Sequence, residues 1–152
     1  MPLEIKYVEG GTGVEFISSG VLTGTEIINA NKQVYDSDNF NKQRYQLIDR
    51  TGCKKYQVSS EEMRTIAEQD RAAAETNPHI LVALVAKSAL QFGMSRMYEI
   101  FVSECGFLTA IFPDRESAME WIEKELKKTD KTAAKQADPI RATGNGSIGK
   151  SD

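Results

Sequence analysis

Few side chains in this sequence carry chemistry at a spacing that would let them act together. Asp49 and Thr51 stand two residues apart at the end of a short β-prone run, Tyr45-Gln46-Leu47-Ile48-Asp49. The carboxyl ends of parallel strands are where open α/β sheets collect ligands, so the pair forms a candidate rim. The same two groups also suit an Asx or hydroxyl turn that satisfies only loop amides. Asp70 falls seven residues after Met63, on the edge of an otherwise apolar helical stripe, where a polar group needs a partner. Arg96 is the cation a neighbouring helix can bring to it, either as a charge-assisted pair or as a hold on an anionic ligand.

Other reactive types have plainer explanations. Ser59, Ser88 and Cys105 are conceivable nucleophiles, but the two serines open helices and the cysteine lies on an apolar stripe. No GxSxG elbow, GxGxxG turn or GxxxxGKS loop is present. His79 is the one imidazole, and Cys53 and Cys105 form no CxxC pair, so neither a metal site nor a cofactor is expected. The stripe Met94, Met97, Phe101 reads as core rather than as a cofactor box. The residues therefore point to a non-enzymatic protein.

The elements that position these groups follow from patterning. With 152 residues, 40% of them hydrophobic and a net charge of −3, the chain has the makings of one domain with one core. The acidic balance argues against nucleic acid as a partner. The longest apolar run, Ile80 to Ala86, is far short of the roughly 20 residues that cross a bilayer, so no integral membrane segment is expected. An amino terminus without a basic start and apolar run suggests a cytoplasmic protein. Residues 1–128 form the expected domain. Residues 129–152, with only Ile140 and Ile148 as large apolar side chains, are expected to be a disordered tail.

Alternation on both sides of Gly10-Gly11-Thr12-Gly13 predicts an antiparallel hairpin. Thr23 with Glu26 predicts a capped helix over about 24–36, and residues 45–49 a third strand ending at Thr51-Gly52. Ser59 with Glu62 predicts a second helix to about Thr76. Ile80–Ala86 reads as a strand buried on both faces at the sheet centre. Ser88 opens a third helix whose inward stripe is Leu90, Met94, Met97, Phe101 and Cys105, with Gly106 as its stop. Phe107–Phe112 supplies a fifth strand, and Asp114 caps a last helix with Ala118, Trp121, Ile122 and Leu126 inward. The fold class is α/β: a mixed five-stranded sheet, an N-terminal antiparallel hairpin plus parallel strands, with about four helices in ββαβαβα order.

Gly20-Val21-Leu22-Thr23-Gly24-Thr25-Glu26, the stretch Arg44 to Gly52, Ile66 to Ala74, and Phe92-Gly93-Met94-Ser95-Arg96-Met97-Tyr98 occur in family order with Phe112-Pro113-Asp114. Together they resemble the bacterial SpoIIAA-like family across nearly all of residues 3 to 127. The resemblance implies a STAS-like fold, that of anti-sigma-factor antagonists, related in shape to CRAL-TRIO lipid carriers. In the antagonists a serine after an aspartate, before a glycine-containing helix start, is phosphorylated, and the matching position here is Ser59. Gln57 stands at the aspartate position, no glycine follows, and Glu61 and Glu62 would repel an added dianion.

The resemblance implies first a regulatory or binding module of STAS type, acting through a protein partner or a small ligand. A carrier of a small apolar or lipid-like ligand is the alternative, and a phosphorylation-switched antagonist the third reading. The candidate ligand or partner residues are Asp49, Thr51, Asp70 and Arg96. The apolar breadth of the third helix, leaving Phe92, Tyr98 and Ile100 to be covered, predicts a homodimer through that helix or an edge strand.

Overall fold

The computed structural model describes the backbone from Leu3 to Thr143 and side chains as far as Thr132. The elements run β1 (Leu3–Val8), β2 (Gly13–Thr23), α1 (Gly24–Tyr35), β3 (Tyr45–Gln57), α2 (Ser60–Thr76), β4 (Leu81–Val85), α3 (Ala89–Ser103), β5 (Leu108–Phe112) and α4 (Arg115–Thr143), with short 3-10 turns at Glu9–Gly11 and Phe40–Lys42. Five strands and four helices follow one another as ββαβαβαβα, one βα step longer than the expected shorthand. Contacts divide the chain into Met1–Met119 and Glu120–Asp152. The second unit is described as helix through Thr143, beyond the break expected from Thr129. Ala, Lys and Gln dominate residues 131–137 and no glycine lies between Arg115 and Gly144, so helix propensity carries the backbone on to Asp138-Pro139, where the expected break does not end the helix. The rest of the expected tail, 144–152, lies outside the described residues.

The strands lie in the order β1-β2-β3-β4-β5, with β1 antiparallel to β2 and every later pairing parallel. Because β2 to β5 are laid down side by side in chain order, right-handed crossovers place α1, α2 and α3 on the same face. That face carries Val14, Phe16, Ile48, Val82 and Leu84, which join Ile66, Ala73, Met94, Tyr98 and Val102 in one core. On the opposite face Glu15 is paired with Arg115 from the start of α4. The all-apolar β4 is buried along its whole length, as its sequence requires, but it lies next to the β5 edge and β3 is the central strand.

Two expectations fail in instructive ways. The third strand does not stop at Asp49: β3 continues to Gln57 and stays paired with β2 to Thr23, through register shifts after Ile17 and Gly20. β4 pairs with β3 only from Tyr45 to Asp49, so β2 and β3 run on as a two-stranded ribbon past the end of β4. Gly52, read as a turn, is there for a close approach: a Cβ on it would sit 2.4 Å from the Ser18 carbonyl oxygen. The second concerns α3, whose buried face is Gln91, Met94, Ser95, Tyr98 and Val102, while Leu90 and Met97 point outward. The helix is rotated because Gln91 and Tyr98 have polar partners inside and Leu90 and Met97 have none.

The capping boxes Thr23–Glu26 and Ser59–Glu62 form as read, and Ser88 forms a third with Gln91. Asp114 accepts the Ser117 amide at 2.8 Å. We expect Gly52→Ala to cost about 2 kcal/mol, because the Ser18 backbone must move to admit the methyl group. A thermal melt should fall by roughly 5 °C; an unchanged melt would mean that the ribbon tolerates the shift.

Candidate functional site

Asp70 is not on the edge of the α2 stripe but at its fully buried centre. The position is four residues after Ile66 and three before Ala73, so a helix that buries those two must bury the carboxyl as well. Its two oxygens are taken by hydroxyls from the two flanking helices. Tyr35 of α1 donates to Oδ1 at 2.6 Å and Tyr98 of α3 donates to Oδ2 at 3.0 Å. Burial raises the Asp70 carboxyl to a pKa of about 6, against the pull of both hydrogen bonds in the other direction. Both tyrosine hydroxyls are pushed well above their usual range, by burial first and then by the adjacent Asp70 charge. Arg96 takes no part: it lies on the outer side of α3, exposed, and pairs with Glu99 at 3.2 Å.

A second polar cluster lies on the same face of the sheet, on β3. The alternation Gln46, Ile48, Arg50 points all three toward the helices, and Gln46 and Arg50 are both buried. Arg50 donates from Nη1 to Ser18 Oγ at 2.9 Å, and burial lowers its pKa. Alongside, Asn31 of α1 donates to Gln69 Oε1 at 3.2 Å, while Gln69 donates to the Ile28 carbonyl at 3.0 Å. Gln91 fastens α3 to the ribbon. Its Nε2 donates to the carbonyls of Thr51 and Cys53 at 2.9 and 3.0 Å, and its Oε1 accepts the Lys87 and Ser88 amides.

The residues singled out from sequence are therefore scattered. Asp49 Oδ1 accepts the backbone amide of Thr51 at 2.9 Å and its hydroxyl at 2.6 Å, a local turn within β3. The Thr51 carbonyl is taken by Gln91. Asp49 lies beside the last residue of β4, Val85, but inside β3 and not at its carboxyl end, and the pair is engaged with itself. Ser59 is exposed and caps α2, accepting the Glu62 amide at 3.1 Å. It borders a surface groove of about 400 Å³ between the start of α2 and the outer side of α3, lined by Val58, Ser60, Met63, Arg64, Met97 and Phe101. A second open groove, about 350 Å³, lies between the carboxyl-terminal halves of α1 and α2, with Tyr35 and Phe40 in its wall.

Sequence reasoning missed Tyr35, Arg50, Gln46 and Gln91 and faced Tyr98 outward. Arg50 was findable: once the strand continues past Asp49, period two from Ile48 turns it inward. His79 is exposed, Cys53 and Cys105 are buried free thiols, and no cluster of three potential metal ligands occurs among the described residues.

No family model matches the chain, and no curated protein matches it. Among solved structures it is similar to an uncharacterised protein of the DUF3478 family with a SpoIIAA-like fold from Shewanella loihica. The two are 17% identical, over 79% of this chain and 91% of that one, with a TM-score of 0.54. That likeness shows the fold: a SpoIIAA-like α/β sheet, as the sequence resemblance implied.

The raised Asp70 pKa has a definite sign. An acid whose pKa is 3.8 when unfolded and about 6 when folded favours the folded state most below pH 4 and loses that advantage as pH rises through 6. The loss is on the order of 3 kcal/mol at full ionisation. Asp70→Asn should remove this component, so urea unfolding at pH 4.5 and 7.5 should show a smaller decline with rising pH for the variant than for the parent. Parallel decline would show that Asp70 keeps one charge state across the range. Ser59→Ala should cost about 1 kcal/mol as a lost helix cap, read in the same urea titration.

Proposed function

We propose that the chain is a non-enzymatic regulatory or binding module that acts through a protein contact, and that the contact surface is the outer side of α3. One observation carries the reading: Leu90, Phe92, Met97 and Ile100 are each about half exposed on this one helix, at 49%, 51%, 48% and 57%. Isolated apolar residues on a surface mean little, but four on one helix form a patch of the kind that marks an interface. No helix among the described residues is long and apolar enough to cross a membrane, so a bilayer-spanning role gives the patch no cover. A cytoplasmic setting suits two free buried thiols.

The occupant we assign is a second copy of the chain. Gly93 sits in the middle of the patch, and a Cβ there would meet nothing within 4 Å. A mid-helix glycine costs about 1 kcal/mol relative to alanine, and nothing within the fold requires it. An antiparallel crossing of two α3 helices does. Met97 of each copy then fills the space over Gly93 of the other, and Leu90 of each meets Ile100 of the other. Both pairs are centred on residue 95, so one two-fold axis generates both. A specific interface buries at least about 1,000 Å² in total, so residues flanking these four must contribute to it as well.

The other two readings have less support. Both grooves are open clefts rather than closed chambers, which does not favour an apolar carrier. The Ser59 hydroxyl is engaged as a cap beside Glu61 and Glu62, which does not favour a phosphorylation switch. Sedimentation at micromolar concentration should give twice 16.9 kDa, and Met97→Glu with Ile100→Glu should give a folded monomer. A monomer in the parent protein would overturn the dimer. A dimer that survives both substitutions would move the interface to the β5 edge, where Leu108 is exposed.

A further inference from the structure

The helix-covered face of the sheet holds a positive charge that forms no ion pair with a described residue; the Asp49 carboxylate acts on it only at longer range and is itself hydrogen-bonded to Thr51. Arg50 is 4% exposed, donates one hydrogen bond to Ser18, and makes no ion pair among the described residues. A buried guanidinium left without a counter-charge costs several kcal/mol. Next to it is a small cavity of about 10 Å³, lined by Arg50, Gln46, Asn31 and Tyr98 with apolar walls from Phe16 and Ile48 among others.

Every nitrogen at this cavity has a proton to give. The guanidinium keeps N–H groups beyond the one used on Ser18. Gln46 is 1% exposed and its Nε2, which approaches the Tyr35 hydroxyl, makes no well-formed hydrogen bond. Asn31 Nδ2 gives one proton to Gln69 and retains another. The Tyr98 proton is already committed to Asp70. No carboxylate is among the lining residues. A cationic, donor-rich space of this size has room for one monatomic or water-like occupant and excludes sulfate, phosphate or an organic acid.

We propose that this cavity binds one small monovalent anion of chloride size, held by the Arg50 guanidinium and the Gln46 amide. A water would accept two of these hydrogen bonds but would leave the guanidinium without a counter-charge in contact. A halide accepts all of them and neutralises it. The anion joins β3 to α1 at the point where the ribbon leaves the sheet, so its occupancy stabilises the fold rather than serving any catalytic step.

The test uses the full chain. At fixed ionic strength, replacing sodium gluconate by sodium chloride should raise Tm by several degrees and saturate, because only the folded state has the site. Gln46→Leu, which keeps the arginine, should weaken the chloride response at least tenfold in midpoint concentration, and Arg50→Met should abolish it. Crystals soaked in sodium bromide should show an anomalous peak within hydrogen-bonding distance of the Arg50 guanidinium. Equal melts in gluconate and chloride, or a cavity holding water without a bromide peak, would overturn the proposal. The bromide experiment needs no variant, so a failure of Arg50→Met to fold leaves the test intact.

Discussion

A single buried carboxyl, Asp70, sets the positions of three helices. It sits at the centre of α2, and its only described hydrogen-bond partners are hydroxyls from α1 and α3. Each hydroxyl leaves its own helix toward the same carboxyl, so rotating either flanking helix breaks a charge-assisted bond inside the core. Such a bond is worth about 1.5–3 kcal/mol, and a carboxylate left without it in the core costs more. Apolar packing alone tolerates small rotations of one helix on another. The tyrosine–carboxyl–tyrosine bridge does not, and it fixes which side of α3 faces the sheet. The apolar residues on the other side are outside as a consequence, so the exposed patch on α3 follows from the buried bridge.

The β2–β3 ribbon depends on a second set of polar ties. Past Asp49 the sheet no longer supplies β3 with a second neighbour, and β3 is held by β2 on one side and by Gln91 on the other. Gln91 uses all of its side-chain capacity: two protons go to β3 carbonyls and its oxygen takes the two amides that open α3. One amide thus replaces the missing strand and caps the helix. Gly52 lets the two ribbon strands approach at Ser18, and Arg50 reaches back to the Ser18 hydroxyl. The Asp49–Thr51 turn sits at the same junction, where its polar groups shape the chain.

How much of this is legible in the sequence differs from element to element. Helix starts are legible because a capping box is a local contract between residues three apart, and Thr23–Glu26 and Ser59–Glu62 are satisfied without reference to anything distant. The buried β4 is legible because an unbroken apolar run has no other stable home in a chain of this kind. The end of β3 is not, since Thr51-Gly52 has the composition of a turn, and only the approach of Ser18, more than thirty residues away, explains the glycine. The face of α3 is misread for a related reason. Hydrophobicity favours Leu90 and Met97 over Gln91 and Tyr98, and what reverses the ranking is partners on β3 and α2 that periodicity cannot see. The candidate site follows the same rule: Asp70 is conspicuous as a polar residue in an apolar stripe, but its partners are neutral hydroxyls, and a search for opposite charge finds Arg96 instead.

Two of the buried ionisable groups, Asp70 and Arg50, are of opposite sign and yet are not paired with each other. Tyr98 is the residue common to both surroundings: it gives its proton to Asp70 and lines the cavity beside Arg50. A direct ion pair would have compensated both charges with two side chains, and its absence leaves each to be handled separately. For Asp70 the handling is titration, because a carboxyl with a pKa of about 6 can shed its charge at modest cost. A guanidinium has no such route: burial lowers the Arg50 pKa, but a guanidinium keeps its proton in proteins. The asymmetry between the two side chains therefore places the unmet electrostatic demand of the core at Arg50, on the β3 side of Tyr98, and makes that the point where something other than the chain itself has a physical reason to bind.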